Sequence, residues 1–104
     1  MIIKDDAILE QARRRACCEF CGTFSQSGLH PHHLFTRGAG QLDIPINLAA
    51  LCVLCHHRTH SGHSAGPTKL QLLEIVAKRE WTSVAAIEEE IWRLRRLGKR
   101  RIEA

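Results

Sequence analysis

Two CxxC pairs, Cys18-Glu19-Phe20-Cys21 and Cys52-Val53-Leu54-Cys55, stand on either side of residues 22–51 and constrain this chain more than any other feature. Two residues between cysteines let a tight turn aim both sulfurs at one tetrahedral ion at about 2.3 Å, and two such turns close the coordination shell. A closed shell is structural, and a chain of 104 residues, whose core is modest, gains from such a staple. Zinc suits four thiolates because it is soft enough for sulfur and has no redox chemistry. An iron–sulfur cluster uses the same number of cysteines. A redox CxxC would be a single pair in a thioredoxin-like βαβ setting, which this sequence lacks. Gly22, directly after the first pair, fits the positive φ that such knuckles often need. The fifth cysteine leaves a choice, because Cys17 and Cys21 make a CxxxC alternative; Cys18 is taken as the ligand and Cys17 as a spare thiol.

The opening "MIIKDDAILE" has no basic stretch followed by an apolar one, so no cleaved export signal is expected. The corresponding expectation is a cytoplasmic protein whose thiols stay reduced and open to metals. No apolar run is long enough to cross a bilayer. The net charge of +4 comes from arginines clustered at 13–15 and from "RLRRLGKRR" at 93–101. Such clusters suit a polyphosphate partner, and they also suit plain solvated helix surface.

The pattern along the chain is that of one small α+β domain. Residues 5–16 read as a helix, with Ile8, Leu9 and Ala12 on one face and Asp5 and Asp6 at the end where the helix dipole favours anions. Within the unit 1–104, this N-terminal helix (1–16) precedes a metal-stapled core (17–66) and a helical extension (67–104). In the extension, Leu70, Leu73, Val76 and Ala77 share one face, and Ser83 can cap a second segment carrying Val84, Ile87, Ile91, Leu94 and Trp92. These two segments suit packing on the core, on a protein partner or on a second copy of the chain. The tail after Gly98 is expected to fray.

All seven histidines lie between His30 and His63. His56 and His60 are four apart on a segment that can be helical as far as Gly62, so both imidazoles project toward one point and a divalent ion fits there. Upstream, "HPHHLF" supplies His32 and His33. In an extended segment neighbours point to opposite sides, so one can ligate while the other faces a substrate water. Gly38 and Gly40 mark a loop, Leu48 to Leu51 a return strand, and Asn47 stands at its start, where its amide can fix either the loop or an imidazole.

The string "HPHHLFTRGAG…DIPINLAALCVLCHHRTH" resembles the HNH nuclease family with an embedded four-cysteine zinc site, over Cys18 to about His60. The resemblance implies a ββα-metal core in which a double histidine lies on the first strand, an asparagine in the connection and further histidines on the helix. Position by position, it implies His33 as general base, Asn47 as the middle residue, His32, His56 and His60 as ligands of a catalytic divalent ion, and Cys18, Cys21, Cys52 and Cys55 as ligands of structural zinc. His30 and His57 are extra imidazoles beside the motif, and His63 reads as a loop residue. The implied activity is metal-dependent hydrolysis of DNA phosphodiesters by a one-metal mechanism, as in phage and mobile-element nucleases. Arg37 is a candidate phosphate contact. Nitrogen ligands favour Zn²⁺, Ni²⁺ or Mn²⁺ over Mg²⁺. A competing reading is a non-catalytic zinc module that binds nucleic acid or protein through its basic helices.

Overall fold

Asp5 begins the first regular element by accepting hydrogen bonds from the Ala7 and Ile8 amides, so helix α1 runs Asp6–Arg13 and ends short of the expected residue 16. The computed structural model describes residues 2–36 and 41–103, the last six of these by backbone alone. Arg37, Gly38 and Gly40 lie outside the described residues. After α1 the chain makes a knuckle in which the Cys18 amide donates to Thr23 O and the Gly22 amide to Cys18 O, with Gly22 at φ 78° as its position predicts.

Strands β1 (His30–His33) and β2 (Leu48–Leu51) pair antiparallel, with His30 opposite Leu51 and His33 opposite Leu48. The connection re-enters through a short 3-10 turn, Pro45–Asn47. Helix α2 (Val53–Ser61) follows β2 at once, and Gly62 ends it in the left-handed conformation at φ 69°. The result is a hairpin and a helix carrying every histidine singled out above as a site residue. Helix α3 (Lys69–Arg79) starts at a capping box between Thr68 and Gln71. Helix α4 (Val84–Glu103) starts where the Ser83 hydroxyl accepts the Ala86 amide. It continues through Gly98, where fraying was expected: one glycine costs a helix only about 1 kcal/mol, too little to stop a run of strong helix formers.

The core joins Ala12, Leu29, Leu34, Leu42, Ala49 to Leu51 and Cys55 to the inner faces of the last two helices. On α3 that face is Leu72, Leu73, Val76 and Ala77, while Leu70, expected inside, is exposed; on α4 Ile87, Ile91 and Leu94 are buried and Trp92 is exposed. The outer edge of β2 is covered by Glu19 and Arg79 rather than by a third strand. Glu19, inside the first knuckle, gives its amide to Ala50 O and takes the Ala50 amide on its carboxylate. Arg79 reaches back from α3 to Glu19, to Pro45 O and to Leu48 O. Knuckle, strand and helix are thus locked at one point, and an edge that would otherwise offer open hydrogen bonds is closed.

Candidate metal centres

The four sulfurs of Cys18, Cys21, Cys52 and Cys55 lie within 4.8 Å of one another. The Cys21 and Cys52 sulfurs are 3.8 Å apart. That is the edge of a tetrahedron with metal–sulfur bonds of about 2.3 Å, namely about 3.8 Å. The donor set fits a soft tetrahedral ion such as zinc. Both knuckles are shaped for it locally: Gly22 turns the first, and in the second Cys52 caps α2 by accepting the Cys55 amide. Hydrogen bonding by the Thr23 side chain and amide pulls the thiol of Cys21, at the exposed rim, down to about 6. Burial, and then the neighbouring sulfurs, push the Cys55 thiol up. Deprotonation of such a cluster accompanies metal uptake. Cys17 is exposed, stands opposite Phe24 in a bridge and takes no place among the four, which settles the choice at the first knuckle for Cys18.

One residue beyond Cys55 the second group begins. His32 from β1 and His56 and His60 from α2 bring one ring nitrogen each within 4.8 Å of the other two. The Nε2 atoms of His56 and His60 are 3.0 Å apart, close to the separation of about 2.9–3.3 Å between adjacent nitrogens at about 2.05 Å from one ion. The strand's alternation puts His30 and His32 on the face toward α2; the His30 ring stacks on His56 at 5.3 Å, outside the trio. Burial, followed by the neighbouring His56, His60 and His33, pushes His32 down to about 4, and burial also lowers His56. Both are therefore neutral at pH 7, as nitrogen ligands must be. His57 is exposed, and His63 accepts the Ala65 amide in the loop after α2.

His33 points the other way, as its place next to His32 on a strand requires. Its Nε2 lies 2.7 Å from Oδ1 of Asp43, whose side chain is fully buried. The second Asp43 oxygen accepts the Asp5 amide and the Gln41 side-chain amide. Burial alone would raise this carboxyl, but the hydrogen bonds from His33, Asp5 and Gln41 outweigh it and hold Asp43 below the usual carboxylate range. Since a carboxylate only accepts, the pairing fixes the proton of neutral His33 on Nε2 and leaves Nδ1 as an acceptor. The segment Ile3–Asp5 clamps this arrangement: Ile3 bridges Leu42 in parallel, donating to Gln41 O and accepting from the Asp43 amide.

Asn47 is fully buried and serves the loop, not the imidazole. Its Oδ1 accepts the Phe35 amide, and its Nδ2 donates to Phe35 O and Leu42 O. Asp43 takes the orienting role that the sequence reading had offered to Asn47 as one of two. Sequence reasoning missed Asp43, although a signal was present: it is the only carboxylate between Glu19 and Glu74, in the stretch that holds every histidine. Comparisons with protein-family models, curated proteins and solved structures gave no match for this chain.

Proposed function

We propose that this protein is a divalent-metal-dependent endonuclease of the HNH type that hydrolyses DNA phosphodiesters, with His33 as general base and a structural zinc ion in the four-cysteine cluster. The observation that carries the reading is a pair of adjacent strand residues with opposite duties: His32 joins His56 and His60 in a trio of nitrogen donors, while His33 is anchored by a buried carboxylate. His32, His56 and His60 would hold the ion, which when bound would supply Lewis-acid stabilisation of charge on the phosphate and on the departing 3′ oxygen. His33 Nδ1 takes a proton from water, whose oxygen bonds to phosphorus as the bond to the 3′ oxygen breaks. Asp43 holds the ring in one tautomer and one orientation, and stabilises the imidazolium that forms. Asn47 keeps the end of β1, and with it His33, in place by tying residues 35 and 42 to the start of β2.

Plasmid incubated with the purified protein and Zn²⁺, Ni²⁺, Mn²⁺ or Mg²⁺ tests the reading. Cleavage is expected with at least one ion, and His33→Ala is expected to lower it by about 10²- to 10⁴-fold while keeping its fold and its cysteine-bound metal. Binding of DNA without cleavage under every ion would instead favour a non-catalytic zinc module.

A further inference from the structure

The nuclease reading leaves the first arginine cluster without a task. Arg13, Arg14 and Arg15, at the C-terminal end of α1, line an open cleft of about 640 Å³ together with Ala16 and the turn 24–28. Three arginines line it with one acidic residue, Glu10, and Arg15 also lies 3.9 Å from the carboxylate of Glu19. Glu10 pairs with Arg13 and Arg14 on the exposed side of the helix, an arrangement of little energetic weight that leaves most of their N–H donors available. Phe24 lines the same cleft and is 62% exposed, so its ring is open to a partner. By contrast, the cleft beside Trp92 on α4 is lined by Glu89 and Glu90 as well as Arg93 and Arg96, and so is charge-balanced.

The cleft is also tied to the catalytic strand. The Leu29 amide donates to Arg13 O, and the Ser25 hydroxyl donates to Gly28 O, so the turn is held against α1 immediately before β1 begins. From Gly28 to His32 is four residues, a reach of at most about 14 Å. That is a span of a few nucleotides along one strand. We propose that this cleft receives an unpaired stretch of the DNA strand flanking the cleaved bond, with the arginines on its phosphates and Phe24 stacked on a base. A duplex offers phosphates but no free base face, whereas an aromatic ring in a basic groove is the recurring platform for single strands. The inference rests on the nuclease reading and narrows its substrate to DNA with unpaired nucleotides beside the cut.

The test is fluorescence anisotropy with His33→Ala protein holding its cysteine-bound metal, titrated against a labelled oligothymidylate and a labelled duplex of equal length. Phe24→Leu keeps an apolar side chain without a π face; it is expected to weaken single-strand binding about tenfold and to leave duplex binding within about twofold. Removing Arg13 and Arg14 together is expected to flatten the slope of log K against log salt for the single strand by about 1.4. Equal binding of the single strand by Phe24→Leu and its parent, or equal losses on both DNAs, would overturn the proposal. Hydrolysis of bis(p-nitrophenyl) phosphate by the otherwise unaltered protein separately tests the centre. If that hydrolysis is absent while Phe24→Leu loses the single strand, the nuclease reading fails, and with it the placement beside a cut, while single-strand binding at the cleft stands.

Discussion

At the scale of residues, the informative feature is how two neighbouring histidines acquire different chemistry. His32 is desolvated among other imidazoles, and His33 is held by a carboxylate that itself has three donors. Asp43→Asn keeps the shape but exchanges a charged acceptor for an amide. Turnover is expected to fall by roughly 10²-fold with little change in KM, read from steady-state kinetics beside circular dichroism that shows the variant folded; unaltered turnover would remove Asp43 from the mechanism. Acid stability follows from His32. The folded chain keeps this ring neutral to about pH 4, whereas the unfolded chain protonates it from about 6.5 downward, so unfolding takes up a proton between those values. The native state is at full strength above about pH 6.5 and weakens as the pH falls toward about 4, below which both states carry the proton. Urea midpoints measured at pH 7, 6 and 5 should decline, and His32→Gln should flatten the decline.

At the scale of elements, the helices were legible because local signals and burial agree. Asp5, Ser83 and Gly62 sit at helix ends in the roles their side chains suit. The inner face of α3 shows where periodicity ran short: Leu70 and Leu72 both satisfy an apolar repeat, and only the position of the hairpin selects Leu72. The α3–α4 turn holds the opposite kind of conflict. Thr82 donates its amide to Ala77 O, and Trp81, 96% exposed, closes the turn at φ 57°. This is a position for glycine, since a left-handed residue with a side chain costs roughly 1–2 kcal/mol and Trp81 gains no burial in return. Trp81→Gly should therefore raise stability by about 1 kcal/mol in urea titration, after allowance for the looser unfolded chain. A loss of stability would mean that the left-handed position costs less than the freedom glycine adds to the unfolded chain.

At the scale of the whole molecule, the proposed function divides two donor groups between holding the fold and performing chemistry. Cys55 and His56 are consecutive, so an ion closing the four-cysteine cluster would also fix the helix that presents His56 and His60. Mild chelation that removes only the histidine-bound ion should abolish cleavage while helical circular dichroism persists. Stripping the cysteine-bound ion, or Cys52→Ser, should lose both, because a chain of this size has little core to spare. A folded and active Cys52→Ser protein would refute that division. By itself the sequence determined the cysteine knuckles, the hairpin, the helix that follows and the presence of imidazoles at one helical spacing, because each of these depends on residues close together in the chain. Only the tertiary structure decided that Asp43 orients His33, that Asn47 serves the loop, and that Glu19 and Arg79 seal the edge of β2. Those choices join residues up to 60 positions apart, and a polar side chain's partner is set by which buried donors and acceptors the folded chain leaves to be satisfied, a quantity that no local pattern encodes.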